Sequence, residues 1–122
     1  MVALAAGSVV LVAFPFSDLP GSKLRPAIAL APAGRGDWIL CQITSNPYSD
    51  PFAIPIEARD FARGSLIRLS FARPGRLFTA SSSLVEKEIA RLKPSSLANV
   101  IDAVVDILRS SQDGGACDLL PF

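Results

Sequence analysis

The sequence predicts an α+β domain: a run of short strands, or a small barrel built from them, followed by helices. Two observations carry this. Short apolar runs rich in β-branched residues recur through the first two thirds of the chain, separated by loops containing proline, glycine or aspartate. From Ser83 onward the apolar spacing lengthens to three and four residues, the period of a helix. Half of the 122 residues are hydrophobic and the mean hydropathy is +0.41, which suits one packed core and excludes a disordered chain.

Ser8–Phe14 reads as the first strand, with Val9, Val10, Leu11 and Val12 at its centre. Residues 15–23 form a loop punctuated by Pro15, Asp18, Pro20 and Gly21. Arg25–Leu30 is a second strand, with Pro26 at its start, where a missing N–H is tolerated. Residues 31–37 turn the chain into a third strand, Trp38–Ile43, which ends at Thr44 and Ser45. After a loop at 45–51, Phe52–Ile56 reads as a short strand. Ser65–Ala72 and Leu77–Ala80 follow as two more, split by a turn at Arg73-Pro74-Gly75. Ser83-Leu84-Val85-Glu86 fits a capping box, so a helix carrying Val85, Ile89 and Leu92 is predicted, stopped by Pro94. Leu97, Val100, Ile101, Val104 and Leu108 define a second, C-terminal amphipathic helix. No repeat or linker divides the chain. One domain over 1–122 is therefore expected, with a core at about 7–110 and a tail at 111–122 that begins near Gly114-Gly115.

Composition narrows the chemistry. The net charge is +1, but residues 1–82 hold eight Lys/Arg against five Asp/Glu, while residues 83–122 hold four against six. That asymmetry fits an anion-binding face backed by helices. There is no histidine, which removes the usual general base, the usual zinc ligand and every Ser-His or Cys-His nucleophile pair. No metal-ligand spacing occurs, so no metal and no cofactor is expected. Cys41 in an apolar run and Cys117 near the C-terminus suggest reduced, cytoplasmic chemistry more than a disulfide framework. The uncharged start, MVALAAGSVVLVAFPF, lacks a basic segment and is shorter than the roughly 20 residues that span a bilayer. A buried strand is expected there, not an export signal or membrane anchor.

Polar residues cluster at the ends of the apolar strands, where a rigid strand can position them and a loop can admit substrate. One cluster is Ser22, Lys23 and Arg25; a second is Thr44 and Ser45; a third is Arg68, Arg73 and Arg76. Arg25 has a planar guanidinium that can hold a phosphate through two parallel hydrogen bonds. A salt bridge to Asp18, or plain solvation, would explain it equally. Thr44 and Ser45 could donate to a phosphoryl oxygen or close a turn on their own backbone. Trp38 and Tyr48 could stack on bases, although Trp38 fits a core position better. Lys87 and Arg91 read as the solvated surface of the first predicted helix.

Three stretches together resemble the MazF/PemK toxins of type II toxin–antitoxin pairs: GSVVLVAFPFSDLPGSKLRPAIAL, then CQITS, then SFARPGRLFTASSSLVEKEIARL. The resemblance covers roughly residues 7–108. It implies an SH3-like barrel with appended α-helices, a homodimer, an antitoxin partner, and a metal-independent endoribonuclease acting on single-stranded RNA. The family's arginine of the Arg-Pro motif falls on Arg25, and its hydroxyl at the end of the third strand falls on Thr44. The chain departs from the family pattern at Ser8, where aspartate often follows the glycine.

On that reading Arg25 and Thr44 are the catalytic pair, and Ser22, Lys23, Ser45, Tyr48, Arg73 and Arg76 are RNA contacts. Arg25 would stabilise the charge that builds on a phosphorane as the 2′-hydroxyl attacks, and Thr44 would fix the phosphate's pose. A 2′,3′-cyclic phosphate and a 5′-hydroxyl would result. Two other readings compete: a non-catalytic SH3-like module that binds nucleic acid or a peptide, and a structural partner that assembles through the apolar ACDLLPF end.

Overall fold

Seven strands and one α-helix make up the described part of the chain. The computed structural model describes residues 4–13, 24–47, 49–66 and 68–113, with side chains as far as Ser110. In chain order the strands are β1 (Ser8–Ala13), β2 (Leu24–Gly34), β3 (Asp37–Thr44), β4 (Ile54–Ile56), β5 (Phe61–Gly64), β6 (Ser70–Ser81) and β7 (Val85–Leu92), and the helix is α1 (Pro94–Asp113). Single 3-10 turns at Ala58–Asp60 and Ser82–Leu84 precede β5 and β7.

The strands form one antiparallel sheet in the order β4-β6-β3-β2-β1-β7-β5. This order forces the sheet to curl. β5 lies at one edge and β6 next to the other edge. Five interstrand steps separate them, which in a flat sheet would cover about 24 Å. The chain from Gly64 to Ser70 reaches at most about 21 Å, so the sheet bends into a half-barrel and Ser65, Leu66 and Arg68 cross its concave side.

Alternation along the strands sorts the core into two layers. Val9, Ile28, Leu30, Cys41, Ile43, Ala72, Ala90 and Leu92 pack together on the concave side, joined by Ile56, Phe61 and, from α1, Val100. Leu97, Ile101 and Val104 of α1 rest against this layer. Val10, Val12, Ala27, Ala29, Leu40, Ala80 and Val85 form the other layer, partly covered by Leu4, Trp38 and Phe78. Trp38 is half-buried and packs against this layer from its margin.

The α+β class and the cores of β1, β2 and β3 agree with the sequence reading; β2 runs on to Gly34 through residues expected to turn, the strand expected from Ser65 begins only at Ser70, and other features differ as well. Residues 85–92 are a strand, not a helix. β7 pairs with both β1 and β5, so it satisfies the open side of β1, and that pairing outweighs local propensity. Two register shifts between β1 and β7 interrupt the strict alternation of a strand, which is why Val85, Ile89 and Leu92 fall at helix-like spacing. The expected capping hydroxyl is also displaced: Ser81, not Ser83, accepts from the Ser83 N–H at 3.2 Å, and it caps a single 3-10 turn.

Pro94 starts α1 rather than ending a helix; the first helical position needs no N–H donor. Among the described residues there is therefore one α-helix, where two were expected. Its apolar face stops short of Leu108, which is 63% exposed. The helix also runs on to Asp113, into the segment expected to be tail.

Finally, β6 is one strand of 12 residues. Cys41 pairs with Leu77 and Gln42 with Arg73, so Pro74, Gly75 and Arg76 bulge out between consecutive partners. Proline fits such an interruption because it has no N–H to give the ladder. The short strand β5 was not foreseen. Gly64 at its end has φ +69°, and a Cβ there would sit 2.4 Å from the Ile89 carbonyl oxygen. Only glycine fits that close approach.

Candidate functional site

The crossing segment, through Ser65, Leu66 and Arg68, roofs a cleft of about 660 Å³ on the concave side. Its floor is apolar: Leu11 of β1, Pro26 of β2, Ile43 of β3 and Ile89 of β7. Leu11 pairs with Pro26 on one side and with Lys87 on the other, so these residues form a row across three strands. At the rim stand Arg25, Thr44, Ser45 and Asn46; Ser65, Leu66, Arg68 and Ser70 line the opposite wall, and Lys87 completes the lining from β7.

Arg25 and Thr44 both line this cleft, from the ends of the neighbouring strands β2 and β3. Ala27 pairs with Gln42 in the β2–β3 ladder, and Arg25 and Thr44 each lie two residues beyond that pair. Arg25 is exposed and Thr44 half-buried. Arg25 has no carboxylate partner among the described residues.

Thr44 does close a turn. Its hydroxyl donates to the Asn46 carbonyl at 2.9 Å, and the Asn46 N–H donates back to Oγ1 at 3.1 Å. A hydroxyl has one proton to give. Donation to a phosphoryl oxygen therefore requires that proton to rotate away from the Asn46 carbonyl. The turn holds Oγ1 in place meanwhile, through the Asn46 N–H.

The other candidates divide. Ser45 is exposed on the rim. Arg73 does not line the cleft: its Nε donates to Asp50 Oδ2 at 2.8 Å, with both side chains nearly buried at 15% and 10% exposure. Asp50 also accepts from the Phe52 N–H at 2.9 Å. The Arg73 hydrogen bond, followed by the one from Phe52, holds the Asp50 carboxyl below its usual range despite burial. Arg73 thus ties the loop after β3 to β6, a structural task that accounts for its place without RNA. Arg76 is exposed on the β6 bulge, away from the cleft lining. Ser22, Lys23 and Tyr48 lie outside the described residues.

Two cleft cations were missed. Of the three arginines grouped in the sequence, only Arg68 reaches the cleft, and Lys87 was assigned to a helix surface. No sequence signal finds Lys87, because its face depends on the register shifts in β7. The cleft lining holds three cationic side chains and, among the described residues, no carboxylate.

Behind the cleft, Glu88 gathers three donors. The Ser8 hydroxyl donates to Oε2, Arg91 Nη2 donates to Oε2 at 2.9 Å, and Arg63 Nη2 donates to Oε1. Burial pushes the Glu88 carboxyl up, but these donors outweigh it and hold the group below its usual value. Ser8 is fully buried and its Oγ also accepts from the Ala5 N–H at 3.0 Å. This explains the departure from the family pattern: an aspartate at position 8 would face Glu88, whereas serine donates to it. Cys41 is buried, and burial pushes its thiol up to about 12, partly offset by a contact with the Arg73 carbonyl at 3.3 Å.

A curled antiparallel half-barrel with a basic cleft at its strand ends defines a fold shared with known toxins. The sequence profile described as "PemK-like, MazF-like toxin of type II toxin-antitoxin system" matches residues 5–108, and the chain belongs to that family. No curated protein sequence matches the chain. Among solved structures, MazF from Deinococcus radiodurans is similar with a TM-score of 0.66 and 22% identity, covering 84% of this chain and 94% of that one. The MazE-MazF complex of the same organism gives 0.65 and 24%, covering 84% and 93%. The Mycobacterium tuberculosis toxin MazF-mt6 gives 0.64 and 14%, covering 83% and 95%. At these identities the likeness establishes the fold.

Proposed function

We propose that this chain is a toxin endoribonuclease that cuts single-stranded RNA without a metal ion, with Arg25 and Thr44 at the scissile phosphate. The observation that carries the reading is the convergence of Arg25 and Thr44 on one basic cleft, in a chain whose family is that of MazF-like toxins. RNA brings its own nucleophile. The 2′-oxygen bonds to phosphorus, the P–O5′ bond breaks, the 2′-hydroxyl proton leaves to water, and the 5′-oxygen takes a proton from water. Negative charge on the equatorial oxygens peaks in between. A fixed guanidinium placed there stabilises that charge more than it stabilises the substrate, which is what accelerates the step. Arg25 acts there as a fixed charge. Thr44 orients the phosphate through its hydroxyl. Duplex RNA hides its base edges, so unpaired strands are the substrate.

The partners follow the family: an antitoxin, a reading supported by the MazE-MazF complex of Deinococcus radiodurans, a second copy of the chain in a homodimer, and a cytoplasmic setting. One experiment tests the reading. Purified protein is incubated with a mixed single-stranded RNA in excess EDTA, beside Arg25→Ala, and the cut ends are mapped. Wild type should yield 2′,3′-cyclic phosphate and 5′-hydroxyl ends. Arg25→Ala should be about 100- to 1,000-fold slower. Equal cleavage by both folded proteins, or cleavage that EDTA abolishes, contradicts it.

A further inference from the structure

Arg25 is one of three cations on the cleft, and catalysis at one phosphate uses only that one. Lys87 and Arg68 stand on other walls. Lys87 comes from β7, in the row that runs through Leu11 to Pro26. Two interstrand steps of about 4.8 Å separate β7 from β2, so the Lys87 and Pro26 backbones lie about 10 Å apart, too far for Lys87 to duplicate the Arg25–Thr44 position at rest. Arg68 hangs from the crossing segment on the opposite wall. Both are exposed, and neither has a carboxylate partner among the described residues.

Other cations show what a structural role looks like in this protein. Arg73 is committed to Asp50, Arg63 and Arg91 to Glu88, and Arg59 to Glu57. Lys87 and Arg68 instead line a groove floored by Leu11, Pro26, Ile43 and Ile89. An apolar floor with unpaired cations on its walls suits a nucleotide chain, whose bases cover the floor while its phosphates meet the cations.

We infer that Lys87 and Arg68 form a backbone-binding subsite, in which each meets one further phosphate of the RNA beside the scissile position and neither takes part in bond breaking. The identity of the ligand rests on the proposed RNA-cleaving function; the subsite itself rests on the cleft. Each cation that neutralises a phosphate of a single strand contributes about 0.7 to the slope of log K against log salt. At 0.1 M salt, counted from a 1 M reference, that is about fivefold in affinity per cation and about 25-fold for two.

The test uses the full chain and a fluorescein-labelled, mixed-sequence 2′-O-methyl oligonucleotide, which lacks the attacking hydroxyl and so reports binding alone. Anisotropy is measured over a series of KCl concentrations for wild type, Lys87→Ala, Arg68→Ala, the double variant and Lys87→Arg. Each alanine variant should lower the salt slope by about 0.7 and weaken binding about fivefold, and Lys87→Arg should retain the wild-type slope. With cleavable RNA, KM should rise by a similar factor while kcat stays within about twofold, the opposite split from Arg25→Ala. Slopes and affinities equal to wild type in folded Lys87→Ala and Arg68→Ala would overturn the subsite, even if wild type cuts RNA. A lost slope in a protein that cuts no RNA would uphold the subsite and sink the nuclease reading.

Discussion

Replacing Glu88 with glutamine removes one charge and leaves the shape of the side chain. Glu88 is 12% exposed, and it accepts from the Ser8 hydroxyl, from Arg91, which is 34% exposed, and from Arg63, which is 62% exposed. Arg63 contributes least, since an exposed pair is worth under about 1 kcal/mol. Hydrogen bonds to a charged group contribute roughly 1.5–3 kcal/mol where they are shielded from water. Partial exposure of Arg91 sets the total at the lower end, so Glu88→Gln should cost about 2 kcal/mol at neutral pH. In a chain of this size that lowers Tm by about 6–8 °C.

The pH dependence has a definite sign. The Glu88 carboxyl is held below its ordinary value of 4.5, so its contribution is complete above that value and is lost as pH falls through the lower, folded value. The gap in Tm between wild type and Glu88→Gln should therefore be widest near pH 7 and close toward acid, where protonated Glu88 comes to resemble glutamine. Calorimetry at a series of pH values reads this directly. A gap under about 2 °C at pH 7, or one that widens in acid, refutes the claim that Glu88 works as an anion between Ser8 and the two arginines.

Two shorter predictions concern side chains outside the cleft. Asp50→Ala should cost about 2 kcal/mol in urea unfolding, because it leaves the nearly buried Arg73 without its partner, while Arg76→Ala on the exposed bulge of the same strand should stay within about 0.5 kcal/mol. Cys41, with its thiol near 12, holds about one thiolate in ten thousand at pH 8. In a Cys117→Ser background it should resist aromatic disulfide reagents until urea unfolds the chain.

The first three strands were legible because short apolar runs bounded by proline, glycine and aspartate have few other ways to bury themselves. That Arg25 and Thr44 line one cleft was legible because both residues stand at the ends of consecutive apolar strands. Residues 81–94 were not legible. The serines, Glu86 and the spacing of Val85, Ile89 and Leu92 satisfy helical rules, and only the vacant edge of β1 makes the segment a strand. Lys87 went astray with it, since a residue assigned to the wrong element is also assigned to the wrong face. Arg73 shows the opposite failure: a cation read as an RNA contact has a carboxylate partner 23 residues away, brought near by the loop after β3. Sequence separation hides such a pair.

Whether Arg25 and Thr44 serve one phosphate together is read most directly by a double-mutant cycle on kcat/KM for RNA cleavage, using Arg25→Ala, Thr44→Ala and the double variant, with Thr44→Ser as the control that keeps the hydroxyl. If Thr44 poses the phosphate for Arg25, each alanine loses rate, the serine keeps most of it, and the double variant loses distinctly less than the product of the single losses. Losses that simply multiply, or a threonine whose hydroxyl can be removed without effect, would show that the two residues do not act on the same phosphate.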